Sequence, residues 1–436
     1  MLYPDTIGII ADDLTGANDT ALQFFLKGCN TLILYDENSL PESFDKVKVF
    51  AISTESRNVS PEDAAKKVKS VASAFRDKLK TENLYKKIDS TMRGNVAAEI
   101  SALIEEFGYD AALIMPAFPN EGRTTVGGFH LLKGVPVERT EFAGDPGAPI
   151  TESHIPTILY NDLPENLRDK IALIDFRIVK QGAGPILYKL NDLISKGFRF
   201  IVVDAISSTD IEQVIFALNK SPKKILPCGS AGAARAVAEI WLDEAENTEV
   251  KSPVLPDLPR FVVSGSATNV VAAQIKKLED YDVDNIYFVD LCANDIVSGK
   301  KGEIVDKILR NLVRNYTVVL HTSKLFADKL ALSDFLIENE LSKSAFLTKI
   351  SDCLGEIAAS VLAQRQAFLV TVGGETSQKC FKYLNCKTFK PIDAVLPAIP
   401  LCIDSEGRYL VTKSGNLGGT NTLVEILKYF DMHSIK

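Results

Sequence analysis

The sequence predicts an α/β protein of two domains, each a mostly parallel sheet flanked by helices. Three observations carry that expectation. Short apolar runs such as Thr6 to Ile10, Thr31 to Tyr35 and Ala111 to Met115 alternate with longer helix-like segments, the pattern of repeated strand-helix-strand units. The stretch from Asp243 to Arg260 is rich in acidic residues and holds Pro253, Pro256 and Pro259, which marks a linker. A length of 436 residues suits about two or three domains. The expected division is therefore 1–242, a linker 243–260, and 261–436.

In the first domain, Thr6 to Ile10 reads as a buried strand and Thr20 to Leu26 as a helix. Between them lies Ala11-Asp12-Asp13-Leu14-Thr15-Gly16-Ala17-Asn18-Asp19, an acidic loop at a strand's carboxyl end. Ligands of open α/β sheets bind at that edge, where loops and helix amino-termini converge. The competing structural reading makes one Asp a helix cap and the other a solvated charge. Thr31 to Tyr35 and Val47 to Ile52 are further strands, and Pro61 to Lys80 is a helix capped by Ser60. Arg57, in the turn between, could hold a carboxylate in two parallel hydrogen bonds.

The strand Leu84 to Ile88 runs into Asp89-Ser90-Thr91-Met92-Arg93-Gly94-Asn95, before a helix over Val96 to Phe107. Lys87 and Arg93 are cations there, Asp89 is a base or hydroxyl acceptor, and Ser90 and Thr91 are neutral partners. That mixture suits a small polyhydroxy carboxylate. After the strand Ala111 to Met115, the run Pro116 to Gly128 has two prolines and three glycines and reads as a long shaped loop bearing Arg123. Thr140 to Pro146 also reads as irregular. Ile171 to Asp175, Phe200 to Ala205 and Lys224 to Pro227 are strands. Gly229-Ser230-Ala231-Gly232 opens a helix as either an anion site or a close-packing point.

The second domain begins with the strand Phe261 to Val263, the loop Ser264-Gly265-Ser266-Ala267-Thr268-Asn269 and the helix Val270 to Leu278. The hydroxyls and backbone N–H groups of Ser264, Gly265 and Ser266 suit phosphate or ribose. Phe368 to Val372 ends in Gly373-Gly374-Glu375-Thr376, where paired glycines admit a ligand to the backbone and Thr376 could bond phosphate. Tyr409 to Lys413 runs into Ser414-Gly415-Asn416-Leu417-Gly418-Gly419-Thr420, so that Lys413, Gly415 and Gly418 could hold a nucleotide's phosphates. Ser298 to Gln366 is the least informative span.

Composition sets the remaining bounds. At 46% hydrophobic and 24% charged, the chain has material for sizeable cores. No apolar run approaches the roughly 20 residues of a membrane helix, and Met1 to Asp5 lacks the basic start of a signal peptide, so a soluble cytoplasmic protein is expected. A net charge of -8 disfavours nucleic-acid binding. Seven scattered cysteines without C-x-x-C spacing indicate neither a disulfide framework nor zinc, and they read as small core residues. The four histidines include no H-x-x-x-H pair, so no metal ligands are assigned, and His130 reads as structural. There is no Walker-type phosphate loop, no protein-kinase set and no G-x-G-x-x-G after the first strand, which argues against a dinucleotide oxidoreductase.

Residues Ala11 to Asp19, Lys87 to Asn95 and Pro116 to Arg123 resemble, in order, signatures of the four-carbon acid sugar kinase family. Ser264-Gly265-Ser266, Gly373-Gly374-Glu375-Thr376 and Ser414 to Gly419 resemble its nucleotide-domain signatures, so the resemblance covers nearly the whole chain. Leu417 departs from the family pattern, which carries an aromatic there, but the glycines of that loop are in place. The resemblance implies a sugar-acid-binding first domain and an ATP-binding second domain. It also implies that Asp12, Asp13, Arg57, Lys87, Asp89, Ser90, Arg93 and Arg123 lie at or near the substrate.

The expected reaction is transfer of the ATP γ-phosphoryl group, with Mg2+, to the terminal (4-) hydroxyl of a threonate- or erythronate-like acid. Asp12, Asp13 or Asp89 would take the hydroxyl proton. Lys87, Arg93 or Arg123 would meet the acid's carboxylate or the transferring phosphoryl group. Rival readings are a kinase for another small hydroxy acid and a non-catalytic sugar-acid sensor. The expected partner is a small-molecule sugar acid, with no nucleic acid and no membrane. Oligomeric state is not encoded in these motifs, and a homodimer is a family expectation.

Overall fold

The computed structural model describes residues 6–41, 46–144, 149–242, 252–282, 285–299, 301–327 and 329–434. Met1 to Asp5, Asp145 and Pro146 and the 243–251 part of the expected linker lie outside them. The chain divides into two compact units, Met1–Val250 and Lys251–Lys436.

The first unit opens with β1 (Ile7–Ala11), α1 (Leu14–Phe25), β2 (Thr31–Leu34), β3 (Val49–Ser53), α2 (Pro61–Ala74), β4 (Leu84–Lys87), α3 (Val96–Phe107) and β5 (Ala111–Met115). After a small antiparallel sheet of β6 (Arg123–Val126), β7 (Phe129–Leu132) and β8 (Val135–Pro136), it continues with α4 (Ile155–Asp162), β9 (Ile171–Ile174), α5 (Phe176–Val179) and α6 (Ala183–Ser195). It ends with β10 (Phe200–Val203), α7 (Ser208–Lys220), β11 (Ile225–Gly229) and α8 (Ala231–Trp241). The main strands run parallel in the order β2-β3-β1-β4-β11-β5-β10-β9. β1, β3 and β5 are buried at every position, as continuous apolar runs in a parallel sheet covered on both faces should be.

The helices are set by local chemistry. Ser60 caps α2 through the Asp63 N–H, with Pro61 at the first helical position. α3 spans Val96 to Phe107 and stops because Gly108 turns left-handed. The predicted helix to Lys80 instead leaves the α form at Phe75, where a π-turn over Phe75–Leu79 closes on a left-handed Lys80.

Two predicted loops are shorter than expected. α1 begins at Leu14, so Thr15, Gly16, Asn18 and Asp19 are helical, because Asp13 caps the helix from just beyond β1. The Pro116 to Gly128 stretch is only partly irregular: Arg123 to Val126 form β6, which pairs with β7 across the two-residue turn Gly127-Gly128. Both glycines have positive φ, the signature of a tight hairpin turn.

The second unit comprises β12 (Arg260–Ser264), α9 (Asn269–Glu279), β13 (Ile286–Asp290), α10 (Ala293–Ser298), α11 (Lys301–Val313), β14 (Thr317–His321), α12 (Lys329–Glu338) and α13 (Lys343–Leu362). β15 (Phe368–Val372), α14 (Gly374–Tyr383), β16 (Thr388–Leu396), β17 (Ile399–Asp404), β18 (Tyr409–Lys413) and α15 (Thr422–His433) complete it. β13-β14-β12-β15-β18 are parallel, and β17 and β16 add an antiparallel edge. The α/β expectation, with a mostly parallel sheet and flanking helices in each unit, is borne out. All seven cysteines are free thiols, six of them buried and Cys292 exposed. No helix among the described residues is long and apolar enough to cross a membrane.

Candidate functional site

In the first unit, β1, β3 and β4 end side by side, and each is followed by a charged residue of the predicted set. Arg57 ties these ends together. Its Nε donates to Asp12 Oδ2 at 2.7 Å, its Nη1 lies 2.9 Å from Asp13 Oδ2, and its Nη2 lies 3.6 Å from Asp89 Oδ1. Asp13 is at once the cap of α1, accepting from Gly16 N–H at 2.8 Å, and a partner of the Thr15 hydroxyl at 2.8 Å. Cap and ligand-site readings thus fall on one residue.

Arg93 grips Asp89 with two parallel bonds, Nε to Oδ2 at 2.8 Å and Nη2 to Oδ1 at 3.0 Å, and its guanidinium lies 5.0 Å from the centre of the Phe142 ring. The Thr91 hydroxyl also donates to Asp89. Burial pushes the Asp89 carboxyl up, but Arg93 and Arg57 outweigh it and hold the group well below the usual range. Asp12 follows the same logic: burial raises it, and Arg57 with Lys86 and Lys87 brings it net downward. One buried oxygen of Asp12, Oδ1, has no hydrogen-bond partner.

Successive residues of β4 point to opposite faces of the sheet. Lys87 turns toward α1, and its Nζ donates to the Ile88 carbonyl at 2.8 Å. Lys86 points the other way, fully buried, and pairs with Glu99 of α3 at 2.7 Å. Glu99 in turn accepts from the Ser56 hydroxyl at 2.7 Å, and Asn95 Nδ2 donates to the Ser56 carbonyl at 2.8 Å. This strut braces the residue that precedes Arg57. Lys86 and Glu99 carried no distinctive sequence signal beyond a charge inside an apolar run.

His130 of β7 is fully buried between the Thr125 hydroxyl at 3.0 Å and the Ser90 carbonyl at 2.7 Å, and burial lowers its pKa to about 4. It positions the Ser90 backbone as a neutral ring. Arg123 opens β6, its Nη1 donating to the Glu121 carbonyl at 3.0 Å. Two carboxylates near these groups escaped the sequence reading. Burial raises Asp19 to about 6 against the pull of Lys87, and raises Glu55 to about 7 beside Asp13 and Arg57. At Gly229-Ser230-Ala231-Gly232 the packing reading holds: a Cβ at Gly229 would lie 2.7 Å from the Met115 carbonyl and from the Ala233 side chain, and Ser230 caps α8.

In the second unit, three loops predicted separately converge. A Cβ at Gly265 would lie 2.6 Å from Thr376 Oγ1, and one at Gly415 would lie 2.6 Å from Ser266 Oγ. Gly373, in the left-handed region, packs beside both Thr376 and Ser266. Thr268 caps α9 and donates to the Gly415 carbonyl at 3.2 Å, and Gln274 holds the Leu417 and Gly419 carbonyls at 3.1 and 2.8 Å. Leu417 packs into the core of this unit. Gly374 and Glu375 open α14, and Gly418 is left-handed in the last loop. Lys413 is fully buried, its Nζ on the Ser414 carbonyl at 2.9 Å, and burial lowers its pKa to about 7.

Ser264 Oγ, Asp290 Oδ1, His321 Nε2, Thr322 Oγ1 and Asn416 Oδ1 are buried without hydrogen-bond partners. Ser264, Asp290 and His321 end the neighbouring strands β12, β13 and β14. Asp290, His321 and Thr322 were missed, although the apolar run Thr317 to Leu320 ends in a polar His321-Thr322-Ser323 as the other strand ends do. Spare hydroxyl and amide groups beside close-packed glycines fit a ligand rich in both donors and acceptors, such as a nucleotide. Among the described residues no group of three or more His, Cys, Asp and Glu is arranged to hold a metal ion. Mg2+ fits as an ion carried in on phosphates, for which Asp12, with its unpartnered oxygen, is a carboxylate of the right kind.

The family model of the sugar-binding N-terminal domain matches residues 7–237, and that of the nucleotide-binding C-terminal domain matches residues 261–423. The chain is 28% identical to D-threonate kinase of Salmonella typhimurium, over 97% of this chain and 98% of that protein. It is 27% identical to D-erythronate kinase of Heliobacterium modesticaldum, over 97% and 96%, and 24% identical to 3-oxo-tetronate kinase of Cupriavidus necator, over 98% of each. A solved structure from Salmonella typhimurium LT2 shares the fold with a TM-score of 0.78 at 21% identity, covering 96% of this chain and 98% of that one. A Haemophilus influenzae protein does so at 0.71 and 21%, covering 97% and 100%. With both domain models matched in order, and the first alone spanning more than half of the chain, the protein belongs to the four-carbon acid sugar kinase family.

Proposed function

We propose that the protein transfers the γ-phosphoryl group of ATP to the terminal (4-) hydroxyl of a threonate- or erythronate-like acid. The observation that carries this reading is the gathering of Asp12, Asp13 and Asp89 on Arg57 at the strand ends of the first unit. A primary alcohol needs a proton acceptor as its bond to phosphorus forms, and ionised carboxylates held by a guanidinium are ready to act without rearrangement. Asp89 has both oxygens taken by Arg93, and Asp13 has both taken by Gly16, Thr15 and Arg57, which leaves Asp12, with its unpartnered Oδ1, as the better acceptor.

Asp12, Asp13 and Asp89 are the catalytic set of this proposal, and Arg57, Lys87, Ser90, Arg93 and Arg123 the acid-binding set. Ser264, Gly265, Ser266, Gly373, Gly374, Glu375, Thr376, Lys413, Gly415 and Gly418 form the nucleotide set. When bound, Mg2+ would offset charge on the phosphates. The 3-oxo-tetronate kinases among the relatives favour a second acceptor of the same size, a keto acid.

The test is ADP release from ATP and Mg2+ with threonate, erythronate and 3-oxo-tetronate in both stereochemical series, beside Asp13→Asn and Arg93→Ala. Turnover of one acid that both substitutions abolish is the expected result. ATP binding without turnover of any acid would redirect the reading to another hydroxy acid or a sensor, and absence of ATP binding would remove the kinase assignment of these loops.

A further inference from the structure

The acid-binding set proposed for the first unit has four cations, and they differ in how much of their hydrogen-bonding capacity the protein itself uses. Arg57 meets three carboxylates, Arg93 is locked onto Asp89, and Lys87 donates to a main-chain carbonyl. Arg123 is different. It is 8% exposed, its Nη1 is anchored on the Glu121 carbonyl of its own turn, the Glu121 carboxylate stands 3.9 Å away, and its buried Nε has no hydrogen-bond partner. Such groups are uncommon in native proteins and call for an explanation, a bound ligand that supplies the partner being one.

The charge around Arg123 tells the same story. Burial lowers its pKa, and the attraction of Asp89, Glu121 and Asp19, opposed by Arg93, does not restore it. The guanidinium is short of negative charge by contrast with Arg57, whose three carboxylates more than offset its burial. Arg123 is also rigidly placed. Its N–H and C=O pair with those of Phe118 at 3.1 and 2.8 Å around a left-handed Gly122, and it pairs with Leu132 across the hairpin. A guanidinium anchored through Nη1 and left unsatisfied at Nε is a fixed planar cation of the kind that recognises a carboxylate.

We infer that Arg123 receives the carboxylate of the sugar acid and is the residue by which the first unit prefers an acid to the neutral polyol of the same carbon skeleton. The inference rests on the proposed sugar-acid kinase reaction. Arg57 and Arg93 then serve the acid-binding set chiefly by holding Asp12, Asp13 and Asp89 in register.

The experiment compares wild type, Arg123→Gln and Arg123→Lys in steady-state kinetics with the preferred acid and with the matching tetritol, with circular dichroism as the check on folding. Arg123→Gln should raise KM for the acid by roughly 30-fold or more with a much smaller change in kcat, as lost ground-state binding does. The preference for acid over tetritol should collapse by a similar factor, KM for ATP should be unchanged, and added guanidinium should restore part of the loss. Arg123→Lys keeps the charge without the fork and should fall between; it carries the test if the glutamine variant does not fold. An unchanged KM for the acid in a folded variant, or equal losses for acid and tetritol, overturns the inference alone. Failure of the wild-type chain to turn over any four-carbon acid overturns the reaction on which it rests, and the inference with it.

Discussion

Arg57, half-buried, and Lys413, fully buried, are both cations beside the carboxyl ends of parallel strands, and their surroundings are opposite. Arg57 is ringed by Asp12, Asp13 and Asp89, and its charge is more than offset. Lys413 is fully buried with a single carbonyl on its Nζ, and among the described residues no carboxylate pairs with it. The first site is therefore electrostatically closed, with charges that hold each other in place before any substrate arrives. The second is open: hydroxyls, glycines and one unpaired ammonium leave positive charge for a ligand to use. A small hydroxy acid needs a prearranged polar frame, and a polyphosphate needs unspent cation and N–H donors.

The sharpest way to break this contrast is to remove each cation. Arg57→Ala leaves three carboxylates gathered without their counter-charge, and removal of one partner from such a buried cluster costs about 3–5 kcal/mol. Denaturant unfolding should show that loss, together with loss of activity. A cost below about 1 kcal/mol would mean that the carboxylates relax into water and the site is not closed.

Lys413→Met should do the reverse. The folded pKa of about 7 lies below the unfolded value of about 10.4, so the unfolded chain binds more protons between those limits and stability rises with pH across that window. The rise is bounded by about 1.4 kcal/mol per pH unit, and a total of roughly 2–3 kcal/mol is a reasonable expectation after relaxation. In Lys413→Met the rise should vanish, the protein should be at least as stable as wild type at pH 7, and ATP affinity should fall by roughly tenfold or more. A Met variant that is less stable at pH 7 would show that Lys413 has a partner when folded.

The loops around Lys413 offer a smaller test. In Gly265→Ala the new methyl meets Thr376 Oγ1 at 2.6 Å and Leu354 Cδ1 at 2.8 Å. Overpacking of this kind costs about 1–3 kcal/mol of folding stability, and loops displaced to relieve it should bind ATP more weakly, as read by calorimetry. Acid binding by the first unit should be unaffected. Equal weakening of both ligands would show that the substitution disturbs more than the nucleotide loops.

The closed site and the open site were not equally legible in the sequence. Each parallel strand ends in a visible polar run, so Asp12, Arg57, Asp89 and Arg93 could be named before their contacts were known. Their partners could not, because pairing depends on which strand ends are neighbours: Asp12 and Asp89 are 77 residues apart yet share Arg57 through adjacent strands. Asp13 read as a loop residue because a cap and a ligand-site carboxylate have the same local sequence, and here the cap also joins the cluster around Arg57. The hairpin at Gly127-Gly128 was hidden by counting glycines and prolines as loop signals, when a Gly-Gly pair between β-prone residues is also a turn signal. Lys86 and Glu99 were invisible for a different reason. A lysine inside a buried strand is explained only by the helix residue that crosses above it. Asp290, His321 and Thr322 lay in or beside the span where helical residues predominate and motifs are absent, and only the alignment of β13 and β14 with β12 brings them to Ser264.

The contrast is local and does not follow unit boundaries, and Asp19 provides the finest test of that. Asp19 shares the first unit with Asp89, but burial raises its carboxyl to about 6, whereas Asp89 is held well below the usual range. The two should therefore act on stability with opposite signs. Asp89 contributes stability above the unfolded value of about 3.9, and this is lost as pH falls toward its folded pKa. Asp19 is the reverse: the folded chain binds its proton more tightly, so its contribution is full below about pH 4 and is lost as pH rises through about 6. Asp19→Asn should be more stable than wild type at pH 7, by about 1–2 kcal/mol, and indistinguishable from it at pH 4. Asp89→Asn should be less stable at pH 7. If Asp19→Asn were instead destabilised at pH 7, Lys87 would be offsetting the Asp19 charge fully, and this carboxyl would belong with the closed set around Arg57.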